Sequence, residues 1–295
     1  MARPIMSQTT FGQTLQQVKG ALYDKDYERA FGTDRYRLAY CARWVPSRAL
    51  IYRRIFAENS RAISTAIKGK GKLCQDDEAD AGQQGTRVVM VGGGAGSEVV
   101  AIASWFAQQL VHGAEDMTTA LNVTPVDTAD WAHVLTAQQE AINRTHPQLE
   151  NRFAVNFVRD DILDPTTQSL DWQSTSLVTI LFTISELFLQ SRPKTFSLLS
   201  TISTRVGPGT LLLIVESVAL ASIPVGSSGR SYPVGMLLDG ALTLDKGKHD
   251  NERAQWECLC SEDAKWYRLP SDAQDAYPGQ QLENTRVVIR LYRRL

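Results

Sequence analysis

Short apolar runs alternate along this chain with longer stretches in which apolar residues recur at helical spacing. Residues 88–91, Val-Val-Met-Val, form a β-branched run that stops at glycine, the mark of a buried strand. Comparable runs at 118–126, 153–164, 176–182 and 210–215 predict four further strands, and 265–269 with 285–292 predict a closing antiparallel pair. Helices are predicted from residue 97 onward and over 195–204. Two more precede the first strand, over 10–32 (with Leu15, Val18, Leu22 and Tyr23 as its stripe) and over 48–62. Pro46 is expected to end one helix after Trp44 and open the next. Pro125 sits awkwardly in the second strand, which should end early or lie where no ladder partner is needed. Strands alternating with helices predict an α/β fold, a mostly parallel seven-stranded sheet with helices on both faces.

Three segments emerge: a helical region over 1–67, a Gly-rich, then acidic linker over 68–85, and the α/β domain over 86–295, with an insertion at about 218–264. At 43% hydrophobic and 21% charged, the composition is that of an ordinary globular protein. The sequence has no apolar run of membrane-spanning length and its first residues do not read as a secretory signal, so no membrane partner is expected. Cys41, Cys74, Cys258 and Cys260 form no C-x-x-C pair and read as reduced thiols of the cytosol or nucleus. His112, His133, His146 and His249 are scattered, so no metal site is expected.

The chemistry centres on the turn after the first strand. Gly92, Gly93, Gly94, Ala95 and Gly96 lead into Ser97 and Glu98 at the start of a helix. A dinucleotide-binding turn wants G-x-G-x-x-G, and its third position here is Ser97. The spacing G-x-G-x-G is met in full by Gly92, Gly94 and Gly96, and it is the spacing of S-adenosylmethionine (SAM) methyltransferases. No P-loop lysine follows.

Acidic residues then fall at strand ends, where open α/β sheets bind ligands. Asp127 suits the two hydroxyls of a ribose, or caps the segment beginning at Asp130 or Trp131. Asp161 suits an adenine amino group, with the Ile162 backbone at the ring edge, while Asp160 reads as a turn cap. Thr183 joins this cofactor set. Ser185 and Glu186 follow the fourth strand and are candidates for acceptor contact or proton handling, although an acid in a first helical turn also suits the helix dipole. Tyr232 lies in the insertion, which could wall an acceptor pocket. Between residues 35 and 54, six arginines interleave with Tyr36, Tyr40, Trp44 and Tyr52. That reads as a lid or a surface for a nucleobase, or as a solvated helical face with its aromatics turned inward. Tyr40 and Arg48 from this region are counted among the catalytic candidates.

The blocks LYDKDYERAF, LAYCARWVPSRALIYRRIF, VGGGAGSE, FAVNFVRDDIL, LFTISELF and LENTRVVIRLYRR occur in that order across nearly the whole chain. Together they resemble the fungal SAM-dependent methyltransferases that modify uridine at ring nitrogen 3 in large-subunit ribosomal RNA. The resemblance implies a Rossmann-like methyltransferase fold with SAM on the glycine loop and an N-terminal helical lid. It adds Arg43, Trp44, Ser47 and Arg48 as parts of that lid, the first three against the acceptor. Four places depart from the expected pattern: Met90 stands where the wider superfamily often has an acid, and against the family itself Ser185 replaces an Asn, 218–221 replace a Ser-Tyr-Ser-like segment, and Thr285 replaces a Met. A net charge of −1 gives no general attraction to RNA, although a local basic face would. Three functions therefore stay open: methylation of ribosomal RNA, methylation of a small metabolite, and a use of bound SAM other than methyl transfer. The place of work would be the cytoplasm or the nucleus, including the nucleolus.

Overall fold

The computed structural model describes residues 10–73, 85–111, 120–164, 166, 170–225, 230–243, 255–277 and 280–295. It opens with four helices, α1 (Phe11–Tyr23), α2 (Tyr27–Phe31), α3 (Asp34–Glu58) and α4 (Ser60–Leu73). Then follow β1 (Thr86–Val91), α5 (Ser97–Val111), β2 (Leu121–Asp127), α6 (Ala132–Thr145), β3 (Phe153–Val155), β4 (Val158–Arg159) and β5 (Thr175–Leu181). The chain continues through α7 (Ile184–Gln190), α8 (Arg192–Arg205), β6 (Leu211–Ser217), β7 (Ser222–Pro224), β8 (Ser231–Pro233) and α9 (Val234–Leu242). It ends with β9 (Trp256–Tyr267), α10 (Ser271–Ala276) and β10 (Thr285–Arg294).

The main sheet runs β3-β2-β1-β5-β6-β10-β9, with β4 pairing to β2 in line with β3. It is parallel except at β10, which pairs antiparallel to both β6 and β9. Side-chain alternation splits β1 between two cores. Val88 and Met90 pack with residues of α3, α4, α5 and α6 on one face. Val89 and Val91 pack with residues of α7, α8 and α9 on the other. Helices α3 and α4 thus share the core of the sheet, supplying Tyr52, Ile55, Phe56 and Ile63.

Several elements differ from the sequence expectation. The 153–164 run is two short strands, and 10–32 is two helices. Leu15 and Val18 are buried as expected, but Tyr23 is 89% exposed. The penultimate strand begins at Trp256, inside the expected insertion. Residues 68–73 of the expected linker continue α4, and 74–84 lie outside the described residues, as do Cys74, His112, His249 and the start of the 118–126 run. Pro125 stays within β2, and its ring nitrogen falls in a gap. Val123 O accepts from Asn156 N and Asp127 O from Asp160 N. By the two-residue period Pro125 faces that same side, between β3 and β4, where no partner is needed.

Pro46 does not break its helix: α3 runs through it for 25 residues. Proline removes the bond to the carbonyl four residues earlier, here Ala42, and leaves an acceptor unsatisfied. The Tyr277 hydroxyl, just beyond α10, donates to Ala42 O at 2.7 Å. Tyr277→Phe should therefore cost about 1–2 kcal/mol, the penalty of a buried carbonyl left bare. Urea unfolding would measure it, and an unchanged midpoint would mean that water replaces the hydroxyl without loss.

Among the described residues no helix is long and apolar enough to cross a membrane. No group of three or more metal-ligating side chains occurs among them either.

Candidate active site

A cavity of about 730 Å³ opens at the carboxyl ends of β1, β2 and β5, covered by residues of α2 and α3. Its floor is the glycine loop. Gly92 turns the chain at φ +72°, and Gly96 turns it again at φ +77°. Both angles favour glycine. A methyl on Gly92 would overlap the Thr183 side chain, and one on Gly96 would overlap Gln138. The loop is thus wedged between Thr183 after β5 and Gln138 of α6, with no room for a side chain at Gly92 or Gly96. Gly94 lies against Trp131 and Asp127, so the loop and the end of β2 are set by one contact.

The lining is acidic. Glu28, Glu98, Asp127, Asp130, Asp160, Asp161 and Glu186 face three arginines, Arg37, Arg48 and Arg159, and no lysine. Asp127 accepts from the Ala129 N–H at 3.0 Å, a local turn rather than a cap on α6. Burial pushes its carboxyl up, against the hydrogen bonds it accepts from the backbone. Asp161 accepts from Leu163 N at 2.9 Å, and Asp160 from Asp161 N at 2.9 Å. Glu98 is buried; Thr179 Oγ1 donates to it at 2.5 Å, and burial pushes its carboxyl up to about 8. Glu186 is also raised to about 8, by burial first and then by the charges of Asp127 and Glu216. Glu216, buried at the end of β6, accepts from Ser185 N at 3.0 Å and so holds the first turn of α7.

Opposite the acids stands an aromatic and guanidinium wall. The Arg48 guanidinium lies 5.5 Å from the centre of the Tyr40 ring and 4.9 Å from that of Phe182, and it donates to Tyr40 Oη at 2.5 Å. It forms no ion pair with the described residues. Phe182 adopts φ +59°, a costly angle for a bulky side chain, at the turn where β5 leaves the sheet.

The predicted residues fall into two groups. Gly92, Gly93, Gly96, Asp127, Asp161, Ile162 and Thr183 line the cavity, as do Tyr40, Arg48 and Glu186. The others lie outside the lining, Gly94 against Trp131 and Asp127. Ser185 Oγ donates to Leu220 O at 2.9 Å, so the two acceptor-side departures, Ser185 and 218–221, meet each other outside the cavity lining. Arg43 pairs with Glu283 and donates to Gln281 O, and Ser47 Oγ accepts from Glu283 N at 3.0 Å. Trp44 packs on Tyr40, with ring centres 4.8 Å apart. In the RWVPSRAL block, then, Arg43 and Ser47 clasp the LENTR block, and Arg48 alone reaches the cavity. Tyr232 sits on the β7–β8 hairpin beneath Arg230, away from the lining. Tyr27, Glu98 and Trp131 line the site without having been singled out. Glu98 carried a signal, being the one acid between the glycine loop and an apolar helix.

Even with Glu98 and Glu186 mostly protonated near neutral pH, the five other carboxylic residues outnumber the three arginines, so the lining disfavours a pyrophosphate and favours a ligand carrying sulfonium and ammonium charges. Room for a nucleoside, a close-approach loop and an acidic field fit SAM. A profile of the family described as "Putative SAM-dependent methyltransferase" matches residues 2–293. The chain belongs to this family. Its cofactor is SAM.

The methyltransferase is 32% identical to the 25S rRNA (uridine(2843)-N(3))-methyltransferase of Saccharomyces cerevisiae over 297 residues, 95% of this chain and 77% of that relative. Similar solved structures include an arsenic (III) S-adenosylmethionine methyltransferase of Chlamydomonas reinhardtii, with TM-score 0.40 and 17% identity, covering 71% of this chain and 64% of that one. Another is a 16S rRNA (adenine(1408)-N(1))-methyltransferase of Catenulisporales acidiphilia, with TM-score 0.39 and 14% identity, covering 77% and 91%.

Proposed function

We propose that this methyltransferase acts on ring nitrogen 3 of a uridine in large-subunit ribosomal RNA. The observation that carries the acceptor is the likeness to the yeast uridine-N(3) enzyme along 95% of the chain. Departures from the family pattern at Ser185 and 218–221 would favour a small metabolite if they faced the acceptor. Those residues engage each other outside the cavity lining, which favours the RNA reading.

In this reading Gly92 to Gly96 carry the cofactor, Asp127 takes the ribose hydroxyls, and Asp161 with Ile162 meets the adenine. SAM supplies its methyl as an electrophile on a sulfonium sulfur. The chain's own work is to place the acceptor and to handle a proton, because the uracil nitrogen carries one that must leave. Glu186 is the group to take it. Arg48 lies close enough to favour the ionised form of Glu186, and the same guanidinium suits the negative charge gathering on the uracil oxygens. The base must reach this wall unstacked, with the faces of Tyr40 and Phe182 available to it. Helices α1 to α3 act as the lid. A ribosomal RNA acceptor places the work in the nucleolus or wherever large subunits mature.

The test uses methyl-labelled SAM, the purified protein and large-subunit RNA from cells lacking the modification. The expected result is label in 3-methyluridine by nucleoside mass spectrometry. A protein that binds SAM yet leaves that RNA unlabelled would overturn the reading.

A further inference from the structure

Glu98 presents a buried carboxylate to the cofactor cavity without a counter-charge. It is 2% exposed, lines the cavity, and forms no ion pair with the described residues. Its side-chain hydrogen bond comes from Thr179 Oγ1 on β5. Thr179 is the residue paired with Met90 across β1 and β5. Met90 is fully buried in the core and offers a ligand nothing polar. The first turn of α5 therefore delivers a carboxylate to the place beside Met90 that β1 itself leaves apolar.

We propose that Glu98 receives the α-amino group of SAM, anchoring the amino-acid end of the cofactor. The assignment rests on the reading of this cavity as the SAM site. An isolated buried carboxylate is costly, and such groups are ordinarily paired. Here no partner comes from the chain, and an ammonium would arrive with the ligand. The rise of the carboxyl to about 8 is the behaviour of an acid whose counter-charge is not part of the protein. The three arginines of the cavity are engaged elsewhere: Arg48 by Tyr40, Arg37 by Phe31 O and Asp34, and Arg159 by Thr128 O.

The test compares two ligands by calorimetric titration: S-adenosylhomocysteine, and its deamino analogue that differs only in lacking the amino group. Wild type should prefer the former by about 10- to 100-fold, the range of a charge-assisted bond. Glu98→Gln, which keeps the shape and the Thr179 bond, should bind the deamino analogue as wild type does and lose most of that preference. Glu98→Asp, with its charge withdrawn by one methylene, should lose the preference in part. Equal affinity of wild type for both ligands would overturn the assignment whatever the variants do. So would a Glu98→Gln protein that keeps the preference, or one that loses both ligands alike. If wild type binds neither ligand, the cofactor site itself is wrong and the assignment falls with it.

Discussion

Glu186→Gln should lower kcat/KM for the methyl acceptor by about 10²- to 10⁴-fold, the span of a lost general base. SAM affinity should change little, since the group is assigned to the acceptor's proton. The pH profile makes the claim specific. Burial and the charges of Asp127 and Glu216 raise the Glu186 carboxyl to about 8, so its basic form grows as pH rises toward that value. Wild-type kcat/KM should climb through pH 6 and 7 and level off above about 8, and the glutamine variant should lack this limb. Stability moves the opposite way. A carboxyl raised in the folded state holds a proton that the unfolded chain releases near its ordinary value of about 4.3. Wild type therefore loses stability between that pH and about 8, the range over which the native form binds more protons. Glutamine escapes this loss, so the variant should be at least as stable as wild type at pH 8. A slow but stable variant is what a proton-handling role requires. A variant with the wild-type pH limb intact would remove Glu186 from the chemistry.

The contrast between Ser185 and Glu186 also shows what a sequence can and cannot disclose. The position after the fourth strand was legible, because an apolar run ending in a helix start fixes the sheet edge. Which of two adjacent side chains faces the cavity was not, because that depends on Glu216 and Leu220, more than thirty residues away, gripping the serine. The same holds for Pro46: local rules end a helix there, and only Tyr277, 235 residues beyond Ala42, makes the continuous helix tolerable. Central strands β1, β5 and β6 were legible because both faces are buried and Val, Leu and Ile dominate their runs. Edge strand β9 was legible only at its end, 265–267, because much of the rest is exposed and reads as Glu, Ser and Asp. The glycine loop was legible because backbone conformation and close approach restrict its residue type directly. Glu98 was not legible as a site residue, because its place in the lining depends on Thr179 of β5, 81 residues away, which bonds its carboxyl.

Gly92→Ala should weaken SAM binding by at least about 100-fold, through backbone strain and a collision that displaces the loop. At φ +72° the new Cβ is strained whatever space surrounds it, at a cost of about 1–2 kcal/mol. The Cβ would also lie 3.0 Å from Thr183 Cβ, inside the volume of the threonine side chain. Both residues line the cavity, so neither can yield without moving the backbone of the proposed cofactor site. The two costs separate in a double-mutant cycle. Thr183→Ala removes Oγ1 and Cγ2 and with them most of the collision, at the expense of the Oγ1 bond to Leu181 O. In the Thr183→Ala background, Gly92→Ala should cost less by roughly 1 kcal/mol or more, since residues in contact couple on that scale. Calorimetric SAM titration of the four proteins gives the coupling. A coupling near zero would mean that glycine is needed there only for its dihedral angle. A positive rescue would show that the loop after β1 and the turn after β5 are built as one surface, on which the cofactor rests.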